Sequence, residues 1–279
     1  MTRLPSSSCN GRIIGGGPTL AMRIILVHGG GHGAWCWYKV LPELRSGGYS
    51  VSTLDLAASG ADPRRIPEDV SSIAEYAHPL VDLVAAAPDG EKLVLVGHSF
   101  AGMSLASAME AFPHKIAVAV FITAIVPDTT RAPWHIIEEH VRRSPTKYEG
   151  MEIKSISLPG KSQPFDVIVL DFERLATNLY QKCTTEDKAL ASLMVRPASF
   201  FREDLEKITF SEARYGSVDK VYIVCGDDAM LTKDFQKWMI ENGSVKEVME
   251  IEEADHMAML SKPKELCQCL ISIFNKYAV

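Results

Sequence analysis

The stretch 93-LVLVGHSFAG-102 runs from an apolar segment, Leu93–Val96, through a glycine and a histidine to Ser99, and then enters a helix-compatible segment. The pattern G-x-S-x-G is typical of a sharp turn that joins a strand to a helix and exposes a nucleophilic serine. Both flanking positions are small because the serine backbone is strained and the two elements crowd each other. Gly97 fills the first position, but Ala101 stands at the second and Gly102 follows one residue late. The stretch predicts a nucleophilic Ser99 in an imperfect version of this turn.

Apolar segments of strand length alternate with helix-like segments on both sides of the turn. The predicted strands are Ile24–Val27, Val51–Leu54, Leu93–Val96, Ile116–Ile122, Val221–Cys225 and Val245–Ile251, and the predicted helices are Trp35–Ser46, Ser71–Ala87, Met103–Met109 and Pro263–Tyr277. Continuously apolar strands between helices indicate a sheet that is covered on both faces. The fold class is therefore α/β, with a doubly wound and mostly parallel sheet.

The alternation stops between Val126 and about Tyr215. This stretch carries several prolines and short helical segments, which we place at Trp134–Arg143, Asp166–Lys182 and Glu186–Met194. A separate domain is possible, but both borders join sheet elements, which favours an insertion. We predict a helical cap at residues 127–214, inserted between two parts of the core at residues 22–126 and 215–279.

Composition limits the functions that are open to the chain. Its 279 residues are 47% hydrophobic and 23% charged, which is ordinary for a globular protein. A formal charge of −6 argues against nucleic acid or an anionic membrane as a partner. No apolar run approaches the roughly 20 residues that span a bilayer. The six cysteines show no paired metal-ligand spacing, as expected of reduced thiols in an intracellular protein.

Residues 1–21 are expected to be a disordered extension, with a plastid transit peptide as the alternative.

A nucleophilic serine needs a base, and the base needs a carboxylate that orients its ring. In doubly wound hydrolases the acid follows a late strand and the histidine follows a later one. Here Asp227 and Asp228 follow Val221–Cys225, and His256 follows Val245–Ile251. His256 is therefore the predicted base. Adjacent acids point in different directions, so only one of the two can orient the histidine, and Asp228 is preferred to Asp227 on the register that the family resemblance described below implies.

The transition state also needs hydrogen-bond donors for an oxyanion. The backbone N–H of Phe100 is the expected first donor, and the loop after the first strand supplies the second. That loop is the glycine-rich segment His28–Trp35. A glycine-rich turn after a strand could instead hold a dinucleotide phosphate, with Asp55 near the distance of a ribose-binding acid. The glycine pattern fits that alternative only loosely.

At these residues the chain resembles the plant methylesterase and hydroxynitrile lyase family of α/β-hydrolases. The resemblance covers residues 22–278, and its stretch Leu54–Gly60, LDLAASG, is far more specific than the nucleophile turn alone. It implies an α/β-hydrolase fold, a triad of Ser99, His256 and Asp228, and an oxyanion hole formed by the N–H groups of Gly30 and Phe100. It also implies an apolar pocket under the cap, activity without metal or cofactor, a possible homodimer and a cytoplasmic location.

Two positions separate the esterases of this family from its lyases. The lyases carry a threonine after the first loop histidine and a lysine after the catalytic histidine, where its charge stabilises cyanide. Here those positions are Gly29 and Met257. An uncharged site offers no such help to a departing cyanide. The family resemblance therefore implies an esterase.

We hypothesise a serine carboxylesterase whose partner is a small apolar methyl ester of a plant hormone or specialised metabolite. The candidate pocket residues are Gly29, Trp134, Phe165, Phe172, Leu179 and Met257. For the cap residues among them, a purely structural role in the cap is an equal alternative. A hydroxynitrile lyase and a ligand receptor with little turnover remain as alternative functions.

Overall fold

The computed structural model describes residues 22–143 and 151–278. The predictions for residues 1–21 lie outside the described residues. None of the helices in the described part of the chain combines the length and apolarity that crossing a membrane requires.

A six-stranded sheet forms the centre of the core. Its strands are β1 (Met22–Val27), β2 (Val51–Leu54), β3 (Lys92–His98), β4 (Ile116–Ile122), β7 (Lys220–Cys225) and β8 (Glu247–Ile251). They run in the order β2-β1-β3-β4-β7-β8, and every neighbouring pair is parallel. Each predicted strand is found, because parallel strands covered on both faces are apolar throughout. The predicted α/β-hydrolase fold is confirmed.

Helices cover both faces of this sheet. They are α1 (Val40–Ser46), α2 (Ile73–Ala85), α3 (Ala101–Ala111), α8 (Lys233–Asn242), the short α9 (Ala258–Ser261) and α10 (Pro263–Tyr277). The chain crosses from β1 to β2 in one direction and from β2 to β3 in the other. Right-handed crossovers therefore place α1 on one face and α2 and α3 on the other. In agreement, α1 packs against α10, and α2 packs against α3.

The start of α2 shows how the sequence sets a helix boundary. The Ser72 hydroxyl accepts a hydrogen bond from the Glu75 N–H at 3.1 Å, and the Glu75 carboxylate accepts one from the Ser72 N–H at 3.1 Å. This reciprocal capping satisfies two N–H groups that the first helical turn leaves free.

The elements between β4 and β7 differ from the predicted all-helical cap. The helices α4 (Trp134–Arg143), α5 (Phe172–Asn178), α6 (Thr185–Met194) and α7 (Arg202–Lys207) are accompanied by an antiparallel hairpin of β5 (Met151–Ile156) and β6 (Phe165–Leu170). The predicted helix over Asp166–Lys182 is therefore wrong for its first residues. The run Val167-Ile168-Val169 is β-branched throughout, which favours a strand once β5 lies alongside to pair with it.

Candidate active site

Ser99 lies in the turn between β3 and α3 with a φ of +56°, a left-handed conformation that a residue with a side chain rarely adopts. Its neighbours hold this backbone in place. The Ser99 N–H donates to the Ile122 carbonyl at 3.3 Å, and the Ile125 N–H donates to the Ser99 carbonyl at 3.0 Å. The carboxyl end of β4 thus stabilises the strained turn, and the serine projects from the carboxyl edge of the sheet.

The crowding around the turn explains the imperfect motif. A Cβ atom on Gly97 would lie 2.8 Å from the side chain of Leu105, and one on Gly102 would lie 1.8 Å from the carbonyl oxygen of Ile125. The methyl group of Ala101 is fully buried in the core. The second position that excludes a side chain is therefore Gly102, one residue later than the common pattern.

Ser99, His256 and Asp228 form a continuous hydrogen-bonded line. His256 Nε2 lies 3.0 Å from Ser99 Oγ, and His256 Nδ1 lies 2.7 Å from Asp228 Oδ2. The carboxylate can only accept, so Nδ1 carries the proton and Nε2 is free to accept the serine hydroxyl proton. The imidazole is only 2% exposed, which shields this line from bulk water.

Four donors converge on the Asp228 carboxylate. Besides His256, Oδ2 accepts the hydroxyl of Thr123 at 2.5 Å, and Oδ1 accepts the N–H groups of Met230 at 2.7 Å and Leu231 at 2.9 Å. Asp227 instead has a 49% exposed side chain that forms an ion pair with Lys182. The carboxylate of Asp228, not that of Asp227, is therefore the one placed to orient the histidine.

Thr123 is a site residue that the sequence did not reveal. It follows β4 directly, is fully buried and has a φ of +35°. Its N–H donates to the Ile223 carbonyl of β7 at 3.0 Å, so the neighbouring strand supports this conformation. The sequence held one signal for it: Thr123 is a hydroxyl residue at the carboxyl end of β4, and β4 neighbours β7, the strand that precedes Asp228.

Gly30 and Phe100, the predicted oxyanion donors, both line the cavity beside Ser99. Within the described residues, neither backbone N–H donates to another protein group. The peptide that carries the Gly30 N–H is fixed from its other side, because His28 Nδ1–H donates to the Gly29 carbonyl at 2.8 Å. His28 Nε2 accepts the Leu56 N–H at 3.0 Å, and burial lowers the pKa of this ring, which is therefore neutral.

Two further predictions concern residues beside this loop. Asp55, considered as a ribose-binding acid, accepts the backbone N–H groups of Ala34 at 2.6 Å and Ala61 at 3.0 Å and so connects two loops. His98, expected to pack rather than react, is buried, and its Nε2–H donates to the His256 carbonyl at 2.8 Å. Burial holds the pKa of His98 well below its usual value, so this ring stays neutral next to the triad.

A mostly apolar cavity opens in front of Ser99. The side chains that give it its apolar character are Phe100, Ile125, Ile137, Ile168, Leu170, Leu179, Ala198, Phe200, Met230 and Leu231. No lysine or arginine of the described residues lines it. Ile125, Met230 and Leu231 follow the carboxyl ends of β4 and β7, a position that could have identified them from the sequence.

The structure brings only one of the six predicted pocket residues, Leu179, to the cavity wall. Phe165 packs against Phe201 with ring centroids 5.9 Å apart, and Phe172 packs against Tyr180 at 5.5 Å.

The other three pocket candidates also lie off the cavity wall. Trp134 lines an outer groove of the cap, where the Arg202 guanidinium lies 5.1 Å from its ring. Met257 is fully buried in the core, and a Cβ atom on Gly29 would lie 2.9 Å from that of Ser99 and 3.0 Å from His98 Nδ1.

In residues 22–143 and 151–278, no three histidine, cysteine, aspartate or glutamate side chains are grouped as metal ligands would be. Among the described residues, the polar side chains that line the cavity are those of Ser99, Ser199, His256 and three further histidines, His32, His98 and His140. Chemically, this arrangement can activate a hydroxyl, receive an oxyanion and hold an apolar group.

Comparison with known proteins points to the same chemistry. A model of the alpha/beta hydrolase family matches residues 24–268. Norfluorocurarine synthase 2 of a Strychnos species is 44% identical over 259 residues, which cover 92% of this chain and 97% of that protein. Methylesterase 3 of Arabidopsis thaliana is 45% identical over 256 residues, which cover 91% of this chain and 97% of that protein. The crystal structure of polyneuridine aldehyde esterase has a TM-score of 0.87 and 42% identity, and the match covers 91% of this chain and 99% of that one.

Proposed function

The chain belongs to the alpha/beta hydrolase family, as its motifs predicted, and on that premise we propose that it is a serine carboxylesterase acting on small methyl esters. One observation carries the proposal. The hydrogen-bonded line from Ser99 through His256 to Asp228, with distances of 3.0 and 2.7 Å, ends at the wall of an apolar cavity. This is the arrangement that acyl transfer by a serine requires.

In the first half of the reaction, Ser99 Oγ attacks the ester carbonyl and His256 Nε2 takes the hydroxyl proton. Asp228 stabilises the imidazolium that forms. The N–H groups of Gly30 and Phe100 receive the developing oxyanion, since neither is used by another described protein group. His256 then donates its proton to the departing methoxide, and methanol leaves.

In the second half, water attacks the acyl group on Ser99. His256 Nε2 again takes the proton, and the oxyanion again forms opposite Gly30 and Phe100. Collapse of this intermediate releases the acid and returns the proton to Ser99. No cofactor enters either half of the reaction.

The cavity supports a small apolar acyl group. Its wall is mostly aliphatic, so hydrophobic contact and shape hold the substrate. Methyl salicylate, methyl jasmonate, methyl indole-acetate and methyl esters of alkaloids are the candidate substrates, in line with the relatives that are named as methylesterases or esterases. Apolar pockets separate such acyl groups by only about 1–3 kcal/mol per methylene.

The lyase alternative lacks support at the two positions that the sequence singled out. Met257 carries no charge, and no lysine or arginine of the described residues reaches the cavity wall. A Cβ on Gly29 would lie 2.9 Å from the Cβ of Ser99, so the site leaves little room for a hydroxyl-bearing side chain there. Within the described part of the chain, a departing cyanide would therefore meet no lysine or arginine at the cavity wall.

Incubation of the purified protein with a panel of methyl esters tests the proposal, with Ser99→Ala as the control. We expect the wild type to release acid and methanol and the variant to be slower by a factor of at least about 1000. Equal activity of the two proteins, or no acid from any ester, would refute the esterase. Cyanide release from mandelonitrile would instead support a lyase, and tight acid binding without turnover would support a receptor.

We also propose that the enzyme is cytoplasmic and forms a homodimer, as the resemblance implies. Cell fractionation tests the first statement, and light scattering of the purified protein tests the second.

A further inference from the structure

Tyr180, in the cap, reaches the loop that carries an oxyanion donor. Its side chain is fully buried, and its hydroxyl donates to His32 Nε2. His32 Nδ1–H in turn donates to the Gly30 carbonyl at 2.9 Å. Burial lowers the pKa of His32 to about 4, so the ring is neutral and carries one proton. Because a carbonyl can only accept, that proton is on Nδ1, and the chain of hydrogen bonds runs in one direction from cap to loop.

The two residues that follow Tyr180, Gln181 and Lys182, contact the loops that carry Asp228 and His256. Gln181 Nε2–H donates to the carbonyl of Asp227 at 2.8 Å, and Lys182 Nζ pairs with the Asp227 carboxylate. The Lys182 backbone N–H donates to Asp255 Oδ2 at 2.9 Å, and Asp255 is fully buried next to the triad histidine. The other oxygen of Asp255 accepts the Met257 N–H at 3.0 Å, which fixes the loop on both sides of His256.

We propose that Tyr180, Gln181 and Lys182, the clasp, are positioning residues that set the three catalytic loops relative to one another. This inference rests on the proposed esterase function. The loops follow β1, β7 and β8, and in the sheet β3 and β4 separate β1 from β7. Strand pairing alone therefore links the oxyanion loop to the other two only through intervening strands, whereas the clasp contacts all three directly.

Positioning of this kind acts on the transition state. An oxyanion donor is effective only when it lies about 2.7–3.1 Å from the oxygen that becomes charged, and a ground-state carbonyl makes weaker use of it. Loosening the loop that carries the Gly30 N–H therefore lowers kcat more than it raises KM. Replacing a residue that served only to hold the cap on the core would not lower kcat more than it raises KM.

The test compares two tyrosine-to-phenylalanine variants. Tyr180→Phe removes the hydroxyl that contacts His32. Tyr38→Phe is the matched control, because the Tyr38 hydroxyl donates to Asp187 of α6 at 2.6 Å and so also joins core to cap, but touches no catalytic loop. The probes are p-nitrophenyl acetate for turnover, heptyl trifluoromethyl ketone as a mimic of the tetrahedral oxyanion, and methyl heptyl ketone as its uncharged counterpart.

For Tyr180→Phe we expect kcat to fall about ten-fold and KM to change by less than about two-fold, the size expected for loss of one buried hydrogen bond. Affinity for the trifluoromethyl ketone should fall about ten-fold, while affinity for methyl heptyl ketone is retained. Tyr38→Phe should change none of these by more than about two-fold. Wild-type kcat in Tyr180→Phe, or equal weakening of both ketones, would overturn the inference.

The proposed function fails separately, if the wild type does not hydrolyse esters at all. If Tyr180→Phe does not fold, as judged by circular dichroism, Gln181→Ala tests the same clasp from its half-exposed side. We expect that variant to keep its melting temperature and to lose about three-fold in kcat. A wild-type kcat in Gln181→Ala would then overturn the inference.

Discussion

Gly102 and Ala101 offer a test of the nucleophile turn, because the same methyl group should have opposite effects at adjacent positions. In Gly102→Ala the new Cβ would lie 1.8 Å from the Ile125 carbonyl oxygen and 2.8 Å from its carbon. Reaching ordinary contact requires α3 and the end of β4 to separate by roughly 1.5 Å. Overpacking costs typically about 1–3 kcal/mol, and a clash with backbone belongs at the upper end, about 3 kcal/mol.

For a chain of this size that loss corresponds to a melting temperature lower by roughly 6–12 °C. Activity should fall as well, because the Ile125 N–H donates to the Ser99 carbonyl at 3.0 Å and any movement of Ile125 displaces the nucleophile. Ala101→Gly, the matched control, removes one buried methyl group, costs about 1 kcal/mol and leaves Ser99 in place.

Circular dichroism melts measure the stability of both variants, and labelling with a fluorophosphonate measures the reactivity of Ser99. A Gly102→Ala protein that melts within about 2 °C of wild type and labels at the wild-type rate would refute the steric account of the turn. So would an Ala101→Gly protein that loses its labelling.

Three further predictions concern the site. Thr123→Val keeps the shape of the side chain but removes the 2.5 Å hydrogen bond to Asp228, so kcat/KM should fall about ten-fold, whereas Thr123→Ser should restore most of it. Gly29→Thr places a Cβ 2.9 Å from that of Ser99 and should cut ester hydrolysis at least about ten-fold without producing cyanide release; unchanged hydrolysis would contradict this. The His32 ring has its pKa lowered from 6.5 to about 4 in the folded protein, so stability is full above pH 6.5 and decreases as the pH falls towards 4. In urea titrations, we expect this ring to lower the free energy of unfolding by about 2 kcal/mol between pH 7 and pH 5. In His32→Gln this contribution to the pH dependence should be absent. If the variant loses as much stability as the wild type over this range, the ring is not the source of the loss.

The sheet was predictable because its strands are uniform in their environment. Leu93–Val96 and Val221–Cys225 are apolar at every position, since both faces of a parallel sheet are covered. The hairpin of the cap lacked that signal. Its strand β5, Met151–Ile156, alternates apolar and charged residues over only four positions, Met151–Lys154, which is short for a strand signal, and β6 is recognisable as its partner only when the two are seen together.

The triad was predictable for a different reason, which is chain order. Ser99, Asp228 and His256 each follow a strand, and the carboxyl ends of parallel strands meet at one edge of the sheet. Tyr180 could not be found in this way. Its contact with His32 joins residues 148 positions apart and depends on how the cap lies on the core, which no local pattern encodes.

The same dependence on cap placement explains why aromatic residues were poor guides to the cavity wall. Phe165 and Phe172 have large side chains that stabilise the cap by packing on other aromatic rings, Phe201 and Tyr180. Their size therefore favours packing within the cap over a position on the cavity wall. Of the cap aromatics, Phe200 lines the cavity, but most of the cap's contribution to the wall is aliphatic, with side chains such as Ile137, Ile168 and Leu170.

Leu179 connects the fit of the substrate to the rate of the reaction. It lines the cavity and is followed directly by Tyr180, whose hydroxyl acts through His32 on the loop that carries an oxyanion donor. An acyl group that overfills the cavity at Leu179 would displace the adjacent residue and with it the loop that carries the Gly30 N–H. Contacts far from the reacting carbonyl would then be expressed in kcat as well as in KM, because only a well-fitting acyl group leaves the oxyanion hole in its productive geometry. Selectivity between esters would then exceed what weak apolar contacts alone provide.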